Sequence, residues 1–208
     1  MPKPITSAKQ LVVEGVDEEY LLRVLLKSLG LDGVQVQPMG GVGNLHPFVK
    51  ALASTSGFHG VSALGVIRDA DNDPAGAFES VCHALKKAAL PAPGKCLEIH
   101  GESPRVGVML MPNDEEEGAL EDLLLKSVEE RPEAECVDAY FECLRKRGAS
   151  VERHESKRRV QAYIASHDGP SHVRLPGEAA SASVWPWDSP AFNEVKGFLT
   201  SLFGDSDS

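Results

Sequence analysis

Cysteines, long apolar runs and basic residues are all scarce in this chain of 208 residues. Its four cysteines form no C-x-x-C pair, and a secreted disulfide scaffold is usually denser in them. No apolar run approaches the ~18 residues of a membrane span. The first ten residues also lack the apolar core of ~7–15 residues that a secretory signal needs. We therefore expect a reduced, cytoplasmic protein that makes no membrane contact.

The chain is acidic, with 31 Asp and Glu residues against 21 Lys and Arg residues and a net charge of −10. This balance argues against avid binding to nucleic acid, which depends on a basic surface. The charge is uneven, however, because residues 114–122 carry six acids and residues 145–159 carry seven basic residues against two acids. The basic segment is either a local contact for a phosphate backbone or a solvated helix face.

Hydrophobic periodicity predicts alternating strands and helices over the first 130 residues. The predicted strands are 10–14, 31–38, 61–67 and 106–111, with a minor strand near 96–99. The predicted helices are 18–29, 45–54, 74–89 and 117–128, the first two with Asp17 and Asn44 as N-caps. Because the crossovers are long enough for parallel pairing, we predict an α/β fold. It has a mainly parallel sheet of about four strands, with helices on both faces.

The pattern becomes helical beyond Pro132, with predicted helices at 133–147, 151–165 and 190–203. Cys136 and Cys143 share one face of the first of these, which we interpret as facing the core. The predicted organisation is an α/β domain at 8–130, a mostly helical C-terminal extension at 131–204 packed on it, and a disordered tail at 205–208.

Acids follow three of the predicted parallel strands, whose carboxyl ends form the edge where ligands bind in such sheets. Glu14 follows the first strand, Asp69, Asp71 and Asp73 follow the third, and residues 114–121 follow the fourth. Two carboxylates ~4 Å apart repel by roughly 4 kcal/mol at an effective dielectric of 20, so such a group must bind protons or a cation. Oxygen ligands alone favour Mg²⁺ or Mn²⁺ over Zn²⁺.

The residues around Asp69, Asp71 and Asp73 test other interpretations of this segment. An EF-hand loop starting at Asp69 requires Gly and Glu where Pro74 and Ser80 stand, so that interpretation fails. A haloacid dehalogenase is poorly supported, because Asp73 replaces the small residue expected there and no convincing downstream lysine is found. A plain turn rich in Asp, Asn and Pro remains the structural alternative.

The sequence Val12-Val13-Glu14-Gly15 and the later strand ending in Asp69-Ala70-Asp71 resemble the TOPRIM domain of topoisomerases, bacterial primases and, more loosely, OLD nucleases. The chain is also similar to a small prokaryotic TOPRIM-related family of unassigned function. That similarity lies in three further segments: 40–45, 111–122 and 185–190. The resemblance covers residues 10–125 well and the remainder loosely.

This resemblance implies roles for individual residues. Glu14 would be a metal ligand or the general acid/base of phosphoryl transfer, and Asp69 and Asp71 would hold Mg²⁺. Asp73 would support a second ion or orient water. Glu121 would serve that second site, with Glu117 as a substitute because the alignment within residues 114–118 is ambiguous.

Phosphate contacts are predicted at two places. Gly41, Gly43 and Asn44 lie before a predicted helix, where free N–H groups bind anions, although a tight turn explains the glycines equally well. Lys157 and Arg158 would reach a phosphate or simply keep the surface soluble.

The resulting functional expectation is Mg²⁺-dependent, nuclease-like phosphodiester chemistry on nucleic acid. Topoisomerase and primase activities are disfavoured, because no strand-passage domain, zinc ribbon or helicase-binding module is visible. TOPRIM nucleases often work with an ATPase, so the resemblance implies a protein partner, including a component of a phage-defence system. The alternative is a non-catalytic module that binds a nucleotide or a protein partner and holds a structural or regulatory cation.

Overall fold

The computed structural model describes residues 1–113, 115–167 and 173–204. The tail predicted to be disordered at 205–208 lies outside these residues, as does Asp114 of the acidic segment. Within the described part of the chain, no helix is long and apolar enough to cross a membrane.

Five strands form one sheet in the order β2-β1-β3-β5-β4. Strands β1, β2, β3 and β5 are parallel, and the two-residue β4 pairs antiparallel with β5 at the edge. The predicted mainly parallel α/β sheet is therefore confirmed. The strands are β1 Lys9–Val13, β2 Val34–Pro38, β3 Ala63–Asp69, β4 Ile99–His100 and β5 Arg105–Met111.

Helices cover both faces of the sheet and continue into a C-terminal helical layer. In chain order they are α1 Val16–Ser28, α2 Leu45–Ala53, α3 Pro74–Lys87, α4 Leu120–Ser127, α5 Pro132–Lys146, α6 Glu155–Ala165, α7 Pro176–Ser181 and α8 Asn193–Phe203. Helices α2 and α3 pack on one face, against Val12, Val66 and Val108. Helices α1 and α8 pack on the other, against Leu11, Ile67 and Met109. This alternation is the period-two pattern of a sheet that is buried on both sides.

The second of these cores continues from the sheet through α4, α5, α6 and α7, so buried side chains of the predicted α/β domain and of the extension pack together. The stacked rings of Trp185 and Tyr163, 5.7 Å apart, lie within it. Helix α7 was not predicted from the sequence, where the same residues read as a loop.

Two details of the helix starts differ from the predictions. Helix α1 begins at Val16 with Gly15 in the N-cap position, so the prediction that Asp17 caps it is wrong. Asn44 does occupy the N-cap position of α2. Its side-chain Nδ2, however, donates to the carbonyl of Gly40 at 2.7 Å and does not cap the helix.

Helix α5 also faces the core differently from the prediction. Its buried residues are Val137 and Phe141, whereas Cys136 and Cys143 are exposed. The interpretation of these cysteines as core residues is therefore wrong, although they do share a face.

Candidate functional site

The strand order determines where the candidate site lies. The chain leaves β1 for β2 on one side and later returns to β3 on the other side of β1. The crevice beside such a reversal, at the carboxyl ends of the strands, is where parallel α/β sheets bind ligands. Glu14 directly follows β1 and Asp69 is the last residue of β3, so both lie at this crevice.

Asp69 is partly buried, and its Oδ1 accepts a hydrogen bond from the backbone N–H of Leu120 at 3.0 Å. Burial is the largest cause that raises the pKa of Asp69 to about 8, and the negative charges of Glu18, Glu14 and Glu121 add to it. The Leu120 hydrogen bond acts in the opposite direction. At neutral pH this carboxyl therefore holds a proton unless a cation replaces that proton.

Glu14 presents a buried carboxylate oxygen to the same crevice. Its Oε2 has no hydrogen-bond partner among the described residues. A buried polar atom without a partner costs free energy, and a charged one costs more. The backbone of Glu14 is well fixed, because its carbonyl accepts hydrogen bonds from the N–H groups of Gly40 and Gly41, each at 3.0 Å.

Glu18 is a third acid at this edge, and the sequence interpretation missed it. Burial raises its pKa, as do the charges of Glu14 and Glu121, whereas hydrogen bonds from the N–H groups of Glu18 and Gly15 lower it. A Glu three residues after the N-cap commonly reaches back to the N-cap N–H. With Gly15 recognised as the N-cap, this local rule places Glu18 beside Glu14.

Helices α4 and α6 complete the crevice with an acid and a cation. Glu121 is 8% exposed, and its Oε1 lies 3.6 Å from Nζ of Lys157. Glu121 is the main cause of the raised pKa of Lys157, with contributions from Asp69 and Glu18. The neighbouring residues are also joined, because Ser156 donates a hydrogen bond to Asp122 at 2.6 Å. We call Glu14, Glu18, Asp69 and Glu121 the acidic edge.

Three other predicted ligands have different surroundings. The carboxylate of Asp71 binds the buried guanidinium of Arg68 at 3.0 Å, and its backbone pairs with Gly118. Asp73 caps α3 by accepting a hydrogen bond from the N–H of Gly76 at 2.9 Å. Glu117 lies on the exposed surface before α4.

The predicted phosphate contacts divide in the same way. Lys157 lies at the acidic edge, whereas the Arg158 guanidinium lies over the ring of Phe141, 5.7 Å from its centroid. The N–H of Gly41 donates to the carbonyl of Glu14, and Gly43 and Asn44 form an exposed 3₁₀ turn. The phosphate roles of these residues stay predictions.

The described residues contain no ready-made ligand set in this conformation. Among residues 1–113, 115–167 and 173–204, no three His, Cys, Asp or Glu side chains are grouped so that they could hold a metal ion.

Comparison with known proteins places the chain in a family. The family described as "Protein of unknown function (DUF3226)" matches residues 8–204. The chain belongs to this family. No curated protein matches the chain. A solved structure, the C-terminal region of the Xanthomonas campestris pv. campestris OLD protein phased with mercury, is similar over 86% of this chain and 97% of that one. The sequence identity is 18% and the TM-score is 0.40.

Proposed function

We propose that the acidic edge binds Mg²⁺ or Mn²⁺ and performs phosphodiester chemistry on nucleic acid, as a nuclease does. The observation that carries this proposal is the buried Oε2 of Glu14, which has no hydrogen-bond partner in the described structure. Asp69 beside it has a pKa of about 8. A divalent cation satisfies both groups at once, because it binds the orphaned oxygen and displaces the proton.

The donor set fits a hard cation. Glu14, Glu18, Asp69 and Glu121 offer only carboxylate oxygens, which Mg²⁺ and Mn²⁺ prefer. These residues would hold the ion after their side chains turn toward one point, a movement that mutual repulsion opposes until a cation is present. When bound, such an ion polarises a phosphoryl oxygen and lowers the pKa of a water molecule.

The chain itself contributes a second cationic group. Lys157 approaches the acidic edge from α6 and would neutralise a phosphate that enters beside the acids. Glu14 and Asp69, placed after the first and third strands, have the positions that the TOPRIM resemblance implies. We therefore include TOPRIM-like character in the proposal. Glu18 replaces Asp71 among the ligands, since Asp71 is bound to Arg68.

The charge of the protein favours a partner. A net charge of −10 opposes binding to a polyanion, and the guanidinium groups of Arg158 and Arg159 both lie over the Phe141 ring. We propose that a second protein, such as an ATPase or another component of a defence system, brings the nucleic acid to the acidic edge.

The test combines metal binding with cleavage. Calorimetry with Mg²⁺ and with Mn²⁺ should detect binding by the wild type, weaker binding by Glu14→Gln and Asp69→Asn, and unchanged binding by Glu117→Gln. Plasmid DNA, single-stranded DNA and RNA incubated with either metal should be cleaved by the wild type and by Glu117→Gln. The two edge variants should not cleave. Circular dichroism should show that all variants are folded.

The outcomes separate the two functional classes. Metal binding without cleavage of any substrate contradicts catalysis by the isolated protein. It is the expected result both for a nuclease that requires the proposed partner and for the alternative, a module that holds a structural or regulatory cation. Absence of metal binding in both titrations contradicts the metal site itself. Equal cleavage by the wild type and Glu14→Gln contradicts the assignment of the site to this edge.

A further inference from the structure

The outward face of α5 is an exposed surface of mixed polarity. Val137 and Phe141 face the core, whereas Cys136, Tyr140 and Cys143 are exposed, with Tyr140 at 55% exposure. Ala139 between them is exposed as well. We call these four residues, Cys136, Ala139, Tyr140 and Cys143, the α5 face.

The two cysteines of the α5 face cannot bond to each other within one chain. They are seven residues apart, and a rise of 1.5 Å per residue places them roughly 10 Å apart along the helix. A disulfide requires Cα atoms within about 7 Å. Seven residues are also nearly two full turns, so both thiols lie along the same line of the helix.

Charged residues flank this line with opposite signs at the two ends. Glu133 and Glu135 lie at the first turn of α5, and Lys146 and Arg147 lie at its end. None of these four forms an ion pair with the described part of the chain. Arg145, by contrast, is already paired with Glu142 and Glu155. The α5 face therefore carries an unpaired acidic end and an unpaired basic end.

We propose that the α5 face binds the same face of a second copy of this chain, with the two helices antiparallel. The two-fold axis passes between Ala139 and Tyr140, which are the midpoint of the cysteine pair. Cys136 of each copy then lies opposite Cys143 of the other, because the two are equally far from the midpoint. Helical periodicity of about 100° per residue places Glu135 beside Lys146 of the other copy, and Glu133 beside Arg147 of the other copy.

Charge complementarity favours a second copy of the chain as the partner of the α5 face, and it favours antiparallel over parallel pairing of the two helices. A parallel arrangement would bring acid to acid and base to base, and each contact would be repulsive. An isologous pair around a two-fold axis satisfies both ends with one surface, which is the commonest arrangement of homodimers. The small side chains of Cys136, Ala139 and Cys143 permit close approach of the helices. A single pair of helices of this length buries less than the ~1,200 Å² of a standard interface, so the dimer is weak, with a Kd in the micromolar range or above.

Disulfide trapping tests this geometry. Diamide oxidises two thiols to one disulfide and takes up their two electrons and two protons as it becomes a hydrazine. The wild type should form a covalent dimer whose linked peptides contain Cys136 and Cys143. Cys136→Ser and Cys143→Ser should each form the dimer at least ~10-fold more slowly, because their remaining thiols lie roughly 10 Å apart across the axis.

A mixture of Cys136→Ser and Cys143→Ser tests directly whether Cys136 of one copy lies opposite Cys143 of the other. One copy then contributes Cys143 and the other contributes Cys136, so the mixture should form the covalent dimer at least several-fold faster than either variant does alone. Cys82→Ser and Cys96→Ser are matched controls outside the α5 face and should dimerise like the wild type. In sedimentation velocity under reducing conditions, Tyr140→Glu should shift the concentration-dependent association to higher concentration.

Other outcomes contradict the proposal. Links between two Cys136 residues or two Cys143 residues in yields equal to the mixed link indicate parallel or random encounters. Single variants that form the covalent dimer as fast as the wild type also indicate parallel or random encounters. A wild type that forms no covalent dimer with diamide, or a mixture that forms none, shows that the α5 face does not self-associate in this way.

Discussion

Asp69 at the end of β3 accepts a hydrogen bond from the N–H of Leu120, the first residue of α4, at 3.0 Å. The most strongly perturbed carboxyl of the acidic edge thus also holds the start of the helix that carries Glu121. The ionisation of the Asp69 carboxyl is therefore linked to the position of α4. Because of this link, we expect ionisation of Asp69 to change the free energy of unfolding.

Asp69→Asn should change how stability depends on pH. In the unfolded chain Asp69 ionises near its ordinary pKa of 3.8, whereas in the folded protein its pKa is about 8. Because the folded state retains a proton that the unfolded state has released, this residue's contribution to stability is complete below pH ~4 and is lost as pH rises through about 8. The expected loss is roughly 2–3 kcal/mol, since partial exposure reduces the effect of the shift.

Urea unfolding of the wild type and Asp69→Asn at a series of pH values from 4 to 9 measures this difference. Asn keeps an oxygen that accepts the Leu120 hydrogen bond, so the variant should fold. The wild type should lose stability relative to the variant as pH rises. Parallel pH profiles for the two proteins would contradict the assignment, and Glu117→Gln serves as the control that should follow the wild type.

Lys157→Met should move metal affinity and cleavage in opposite directions. Its ammonium group shares the acidic edge with the proposed ion, so removing the charge should raise Mg²⁺ affinity by roughly two- to fivefold. Cleavage should fall, because the phosphate loses a cationic contact. Lys126→Met is the matched control, since Lys126 pairs with the exposed Glu116 at 3.3 Å. A simultaneous fall of affinity and cleavage would show that Lys157 only maintains the structure.

Asp71→Asn should lower stability and leave Mg²⁺ affinity within about threefold of the wild type. Arg68 is 6% exposed at its side chain, and Asp71 is the acid that pairs with it. Loss of the partner of a buried charge is costly, but Asp71 is itself 58% exposed, so we expect roughly 1–2 kcal/mol. Urea unfolding measures the change in stability, and calorimetry measures the Mg²⁺ affinity. Loss of Mg²⁺ binding without loss of stability would restore Asp71 as a ligand.

Gly107→Ala should lower stability by roughly 1–3 kcal/mol through overpacking. Gly65 and Gly107 are paired in neighbouring strands beneath α8, and a Cβ at Gly107 would lie 2.7 Å from Cε2 of Phe198. Gly197→Ala in α8 is the matched control, because its Cβ would meet no atom within 4 Å. That variant should gain about 0.5–1 kcal/mol from helix propensity. Thermal unfolding of both variants measures the contrast, and equal shifts would contradict the close packing of α8 on the sheet.

Much of the fold and part of the site were predictable because they depend on local periodicity. Alternating apolar residues and parallel crossovers were enough to place Glu14 and Asp69 at one edge. Glu18 was missed because the start of α1 was assigned two residues too late, which hid its relation to Gly15. The Arg68–Asp71 pair was missed because nothing local indicates that a strand arginine turns back on the following loop.

The helical C-terminal extension shows a different limit of prediction from sequence. Spacing correctly placed Cys136 and Cys143 on one face, but it could not say which face of α5 meets the core. Val137 and Phe141 determine that orientation through contacts with residues distant in the chain. The position of Lys157 could not be predicted for the same reason, since its approach to Glu121 depends on how α6 docks on α4.

That docking has an evolutionary consequence. Ser156 and Lys157 contact Asp122 and Glu121, so two consecutive residues of α6 match two consecutive residues of α4. Displacement of α6 by one position would rotate Lys157 by about 100° around its axis. Insertions and deletions between residues 147 and 154 are therefore tolerable only where α6 keeps this rotational setting against α4.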